Sequence, residues 1–386
     1  MNKNDIANIR KQFKLNNKYM HIQEIFNVYV KKETGEIYTH ISQPFEMLEK
    51  EAQELFLANF KKVLTGQLDS KLFELKFQHD SIGGTQEILH EGLQSSLSED
   101  WQQQMLRIVE KMFAVKVYEY DTVVTFIRGE YQKPTKKRDQ DAETGGDDEV
   151  YSSSFIFCSF NKADQPKKTL TFDYIEREFR PNTNLDPIIN LTTPLAGFMF
   201  PVFHENAADV NRILYSAGKA NEPDYRFIAE VLNCEDIITA EEDKASFEII
   251  IQKVIGDEVD TETISNVYEE ITRVVQENED SEENEEPKLD YKDIERILTV
   301  SGVEDVDAEK VEFAFKDVIE DEKHEFKATN LVPKKIKIST NVADLAINPK
   351  EMKKVKYIMF EGKKCLLLEI EEDIHLEGFK LDTITL

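Results

Sequence analysis

The chain has 386 residues, too many for one ordinary core, so we expect two or three domains. Hydrophobic residues make up 40% of it and aromatic residues 10%, which excludes a wholly disordered protein even though 32% of residues are charged. The formal net charge is −28, and residues 141–330 alone carry −29, so the acidity belongs to one region.

This charge and the apolar runs exclude several classes of partner. The longest apolar run, residues 195–203, contains Gly197 and Pro201 and is far shorter than the roughly 20 residues that span a bilayer. The N-terminus shows no apolar signal sequence, so we expect no membrane association. An acidic field repels phosphates, which disfavours direct nucleic-acid binding. The expected partner is a protein, with a basic one among the candidates.

Cysteine usage points to the cytoplasm. Cys158, Cys234 and Cys365 are scattered and odd in number, so they form neither a disulfide framework nor the paired spacing of a zinc site. Cys158 and Cys365 lie in apolar, strand-like runs, where we expect small buried side chains. A reducing, cytoplasmic location fits this pattern.

The period of the apolar residues changes along the chain. In the first part of the chain it predicts a helix from Asn4 to about Phe13, a hairpin of 21–30 and 36–42, and helices at 44–64, 85–97 and 101–113. Strands at 118–131, 150–160 and 169–179 follow, and then a helix at 209–215. The rest of the chain is predicted to hold helices within 224–276 and at 291–298 and 308–319, and strands at 335–339, 355–360, 364–369 and 374–381. The order predicts an α+β fold: a largely antiparallel sheet with helices on one face, a helical segment, and a small C-terminal β-containing domain.

One boundary is clear from composition. Residues 277–286 hold seven acids and no base, and Pro287 follows, as in a solvated linker. We therefore predict an N-terminal α+β body at 1–220, a helical segment at 221–276, an acidic linker at 277–289, and a C-terminal α+β domain at 290–386 that ends in a β-hairpin around Glu361-Gly362.

Common catalytic motifs are missing from the sequence. It contains no GxxxxGK[ST] or GxGxxG phosphate loop, no HExxH, no GxSxG and no calcium-loop spacing. We therefore predict no cofactor, and we favour a non-enzymatic protein over an enzyme.

The segment richest in side chains that could bind a metal or act in catalysis follows the apolar run. It places His204, Glu205, Asp209 and Asn211 close together in sequence. If Asp209 begins a helix, the first three could hold a metal ion, or His204 could act as a base oriented by Asp209. The alternative is that Asp209 simply caps a helix.

A second charged cluster comprises Asp173, Glu176, Arg177, Glu178 and Arg180. Mixed charges at this spacing are typical of a solvated, salt-bridged face, and less often of an active site.

Four segments resemble a known family: residues 2–14 (NKNDIANIRKQFK), 155–164 (FIFCSFNKAD), 197–219 (GFMFPVFHENAADVNRILYSAGK) and 333–381. Their sequences and order resemble a bacterial family, domain of unknown function 4317, over essentially the full length. The resemblance implies a bacterial cytosolic protein and supplies no activity and no site residues.

Three functional hypotheses remain. The leading one is a cytosolic, non-enzymatic interaction or regulatory protein. The first alternative is a hydrolytic enzyme, with or without a metal, that uses the His204, Glu205 and Asp209 region. The second alternative is an acidic mimic of nucleic acid that binds a basic protein. The sequence leaves the oligomeric state and the docking of the C-terminal domain open.

Overall fold

The computed structural model describes residues 1–79, 83–133, 151–165, 169–181, 186–204, 207–256, 261–280, 286–304, 306–319, 324–333 and 335–382. The chain forms two compact units, Met1–Ile238 and Thr239–Leu386. The residues predicted as one helical segment at 221–276 are therefore divided between the units. Of the predicted acidic linker at 277–289, residues 277–280 end a helix and 281–285 lie outside the described residues.

The α-helices are α1 (Lys3–Gln12), α2 (Lys50–Val63), α3 (Thr85–Gln94), α4 (Ser98–Val115), α5 (Ala240–Ile255), α6 (Thr261–Asp280), α7 (Tyr291–Val300), α8 (Ala308–Val318) and α9 (Ala328–Leu331). Shorter helical turns are Phe45–Met47, Phe227–Val231 (a π-helical turn) and Pro349–Lys354. The first helix is capped by Asn2 rather than by the predicted Asn4, because the Asn2 side chain accepts a hydrogen bond from the backbone N–H of Asp5.

The strands are β1 (Met20–Val30), β2 (Ile37–Pro44), β3 (Leu72–Lys76), β4 (Asp121–Lys133), β5 (Tyr151–Asp164), β6 (Leu170–Asp173), β7 (Glu178–Pro181), β8 (Ile188–Ile189), β9 (Ala196–Phe200), β10 (Val202–His204), β11 (Ala207–Asp209), β12 (Arg212–Ala217), β13 (Lys288–Leu289), β14 (Phe326–Lys327), β15 (Ile336–Ser339), β16 (Asp344–Ile347), β17 (Val355–Phe360), β18 (Lys363–Leu368), β19 (His375–Leu376) and β20 (Phe379–Lys380).

An antiparallel sheet dominates the first unit. Its order is β2-β1-β4-β5-β9-β12-β3, and β8 adds to β5. The α+β prediction is confirmed, including the hairpin of β1 and β2. The sheet places β3, the strand that carries Glu74, beside β12.

Helices cover this sheet on both faces, so the prediction of helices on one face is wrong. On one face α3 and α4 pack around Trp101 and Phe126, and on the other α1 and α2 pack around Phe60 and Phe157. The reason is visible in β5, where Phe155, Ile156, Phe157 and Cys158 are all buried. A strand with consecutive apolar residues requires cover on both sides.

The second unit has a helical core. Helices α5 to α9 surround buried apolar residues such as Phe247, Ile294, Phe315 and Phe326. Thr239 and Asp290 form capping boxes that begin α5 and α7. Helix α9 is followed by short hairpins, and the predicted hairpin around Glu361-Gly362 is confirmed by the pairing of β17 with β18.

Among the residues that the structure describes, no helix combines the length and apolar character needed to cross a membrane.

Candidate functional site

His204 lies at the end of β10, which forms a short antiparallel pair with β11. Its Nε2 is 3.1 Å from Oε1 of Glu74, and its Nδ1 is 3.2 Å from the amino nitrogen of Met1. The His204 side chain is 40% exposed, whereas Glu74 is 13% exposed. Both ring nitrogens therefore contact groups of the protein, and the carboxylate beside the ring comes from β3.

Glu74 is the centre of this group. Its Oε1 accepts a hydrogen bond from Nη1 of Arg212 at 2.6 Å, and its Oε2 accepts one from the amino group of Met1. Burial raises the pKa of the Glu74 carboxyl, but the contacts with Met1, His204 and Arg212 together lower it by more. The net pKa lies below its ordinary value, so Glu74 is ionised at neutral pH.

Asp209 joins the same group through Arg212. Its Oδ2 is 3.4 Å from Nε of Arg212, and its Oδ1 accepts a hydrogen bond from the backbone N–H of Asn211 at 2.9 Å. We call Met1, Glu74, His204, Asp209 and Arg212 the Glu74 cluster. Two cationic groups and an imidazole face two carboxylates within it, so its charges are largely compensated internally.

The other predicted site residues do not all join the cluster. Asn211 has different neighbours: its Oδ1 accepts a hydrogen bond from Nε2 of Gln86 at 3.2 Å, and its backbone carbonyl accepts one from the N–H of Phe77. Glu205 lies outside the described residues.

The helix predicted at 209–215 is wrong. Asp209 ends strand β11, and after a turn the chain enters β12, which pairs with both β3 and β9. Asp209 therefore caps a turn between two strands instead of a helix. The successive residues Ile213 and Leu214 are buried on opposite faces of the sheet, as the alternation of side chains along a strand requires.

No group of three or more His, Cys, Asp and Glu side chains within the described residues is arranged to hold a metal ion. The carboxylate that contacts His204 is already paired with Arg212 and Met1. The hydrogen bonds and ion pairs of the cluster therefore join β3, β10 and β12.

The second charged cluster forms a hairpin of its own. The residues predicted at 169–179 as a strand of the main sheet instead include β6, which pairs with β7 in a separate two-stranded sheet. Oδ1 of Asp173 accepts hydrogen bonds from the backbone N–H groups of Ile175 and Glu176, at 2.8 and 3.2 Å. Its Oδ2 is 2.8 Å from Nη1 of Arg180. The two backbone hydrogen bonds lower the pKa of the Asp173 carboxyl, and the charge of Arg180 lowers it further to a smaller extent. The ionised side chain therefore fixes the turn.

Residues 170–181, which we call the aromatic hairpin, expose large apolar side chains. Tyr174 is 86% and Ile175 is 88% exposed at the turn. Phe172 contacts Tyr174 and Phe179 edge-on, with ring centroids 5.3 and 5.2 Å apart. Clustered, exposed aromatic side chains on a fixed turn are typical of a surface that binds another molecule.

Comparison with known proteins gives a family and no activity. The model of a domain of unknown function, DUF4317, matches residues 1–379. The chain belongs to the DUF4317 family. No curated protein matches it. The match spans both units of this DUF4317 protein, so the Glu74 cluster and the aromatic hairpin both lie within the family region.

A further histidine–carboxylate pair lies in the second unit of the DUF4317 chain. Nε2 of His324 is 3.0 Å from Oδ1 of Asp243, whose Oδ2 accepts a hydrogen bond from Nδ2 of Asn330 at 3.2 Å. The ring of His324 packs edge-on against Phe326. This pair connects α5 with the segment that follows α8, which is a structural role.

Sequence reasoning missed Glu74, although a signal was present. Glu74 interrupts the apolar run of β3 between Phe73 and Leu75, both of which are buried. A carboxylate in such a strand usually has a partner. The sequence did not identify the partners, because His204 and Arg212 approach Glu74 only through the pairing of distant strands.

Proposed function

We propose that this DUF4317 protein is a non-enzymatic binding protein, and that the aromatic hairpin contacts its protein partner. One observation carries the proposal: Tyr174 and Ile175 project into solvent from a turn that Asp173 holds in place. A preformed turn loses little conformational entropy on binding, and aromatic side chains supply much of the contact energy in protein interfaces.

The charge of the chain supports a basic partner. The hairpin lies within residues 141–330, whose net charge is −29, and Glu176 and Glu178 follow its exposed apolar tip, with Arg177 between them. The occupant that fits is a protein with an apolar cleft for Tyr174 and Ile175 and basic groups at the rim. A nucleic-acid-binding protein, which the mimic hypothesis specifies, is one member of this class. We further propose a bacterial source and a cytosolic setting, and the three free cysteines support the cytosolic setting.

The geometry favours binding over hydrolysis. A catalytic imidazole needs one nitrogen directed at the substrate. Both nitrogens of His204 contact protein groups, and Glu74 is occupied by Arg212 and Met1.

Site-specific photo-crosslinking tests the proposal. A photoreactive phenylalanine analogue replaces Tyr174 in the full chain, which is then irradiated in extract of the native cells. The control carries the analogue at Phe313, an exposed aromatic residue on α8. We expect a discrete heterologous adduct from position 174, none from position 313, and a lower adduct yield at high salt, because salt screens the charges at the rim. Equal labelling from both positions, or no adduct at 174, would contradict the proposal.

A further inference from the structure

The hairpin of β17 and β18 in the second unit leaves apolar side chains in water. Within the described residues its two strands pair only with each other. Tyr357, Met359, Phe360, Leu367 and Leu368 are all exposed, with Met359 at 65% and Leu367 at 51%. A two-stranded sheet is marginally stable in water, and an open apolar edge is a template for another strand.

The hydrogen-bonding direction of β18 identifies which residues are available on its open edge. The backbone N–H of Glu369 donates to the carbonyl of Lys354, and the pairing continues without a bulge to Lys363 and Phe360. In an antiparallel pair, alternate residues direct both backbone groups to the same side. The backbone groups of Lys364, Leu366 and Leu368 therefore point away from β17.

The charges along this edge are self-complementary. Lys363 and Lys364 lie at the start of β18, Cys365 to Leu368 carry no charge, and Glu369 follows directly. When two such strands run antiparallel with Leu366 opposite Leu366, Lys363 of each lies opposite Glu369 of the other. A register centred on Lys364 would instead oppose two lysines, and one centred on Leu368 would extend beyond the end of the strand.

We propose that β18 pairs with β18 of a second copy of this chain, antiparallel and centred on Leu366. The two hairpins then form one four-stranded sheet with a twofold axis, the usual symmetry of homodimers. The lysine–glutamate pairs at both ends fix the register, since opposite charges on facing positions stabilise a sheet and like charges destabilise it. This inference is independent of the proposed function.

Charge reversal with rescue tests the register. Molar mass is measured by light scattering over a concentration series of the full chain. Wild type is expected to dimerise, Lys363→Glu and Glu369→Lys are each expected to weaken the dimer about ten-fold, and the double variant is expected to restore it. Lys356→Glu, on the other strand of the same hairpin, is the matched control and should change little. Because Lys363 and Glu369 lie at opposite ends of one strand, rescue requires contact between copies.

A cysteine experiment keeps the inference testable if a charge variant fails to fold. In a Cys365→Ser background, Leu366→Cys places two thiols on facing residues about 5.5 Å apart at Cα, within reach of a disulfide. Mild oxidation should give a covalent dimer from Leu366→Cys and little from Leu367→Cys. A wild-type chain that stays monomeric, a double variant without rescue, or equal crosslinking at both positions would overturn the proposal.

Discussion

The Glu74 cluster and the aromatic hairpin are both charged groups of the first unit, but they use their charges differently. In the cluster, Glu74 is mostly buried and its oxygens face Met1, His204 and Arg212. In the hairpin, Asp173 holds a turn whose tip presents Tyr174 to solvent. In both regions the charged side chains stabilise the local structure, and the side chains left available for a partner are apolar.

The different exposure explains this division. A buried carboxylate must be compensated by its neighbours, so little capacity remains for an external ligand. An exposed apolar side chain, in contrast, contributes favourable free energy to binding when a partner removes its surface from water.

Removal of the Glu74 carboxylate should have the largest effect. Glu74→Ala leaves the groups of Met1, His204 and Arg212 without their shared acceptor, and we expect a loss of about 1–3 kcal/mol in unfolding free energy. Urea titration followed by the fluorescence of Trp101, the one tryptophan of the chain and fully buried in this unit, measures it. Glu178→Ala, at an exposed residue of the hairpin, is the control. An equal loss of unfolding free energy in both variants would contradict the distinction between the Glu74 cluster and the aromatic hairpin.

The same carboxylate should make the first unit sensitive to acid. Its pKa in the folded state lies below the ordinary 4.5, so its stabilising effect is complete above 4.5 and is lost as the pH falls through the folded value. Stability monitored by Trp101 should therefore fall more steeply below about pH 4.5 in wild type than in Glu74→Gln. Identical pH profiles would show that the contacts of Glu74 do not favour its ionised form.

Loosening the hairpin turn should have a smaller effect. Asp173→Ala removes the acceptor of the Ile175 and Glu176 amides but leaves the sheet core untouched. We expect a smaller loss of unfolding free energy than in Glu74→Ala, because the side chain holds only a turn at the surface. Partner binding should nevertheless weaken, because the turn is no longer preorganised. Titration of the captured partner against this variant and against Asp164→Ala, a control at a partly exposed carboxylate on β5, measures the difference.

Replacement of the exposed tip should change stability least. Tyr174→Ser with Ile175→Ser should stay within about 0.5 kcal/mol of wild type, since both side chains are already solvated. Thermal unfolding followed at Trp101 checks this. A larger loss would mean that the tip packs against the body of the protein.

The α+β class and several elements could be predicted because local patterns determine them. The alternation before and after Glu361-Gly362 predicts a hairpin, and β17 and β18 form it. The apolar spacing from Phe45 to Leu64 predicts a helix, most of which is α2. In these segments local preference and tertiary packing agree.

The rest depended on strand pairing that no local pattern specifies. The apolar residues near Asp209 fit a helical period, but pairing of β12 with β3 and β9 determines the conformation. His204 and Asp209 were predictable as a charged group, whereas Glu74 joins them only through the sheet. The exposure of Tyr174 and Ile175 was equally unpredictable, because their sequence is that of an ordinary sheet strand.

The most direct test compares two variants in one capture assay. Wild type, Glu74→Gln and Ile175→Asp carry the photoreactive analogue at position 174, and adduct yield is measured where Trp101 reports all three as folded. We predict that Glu74→Gln keeps the adduct, and that Ile175→Asp loses it with no change in unfolding free energy. Loss of the adduct in Glu74→Gln with an unchanged yield in Ile175→Asp would contradict the account and place function at the Glu74 cluster.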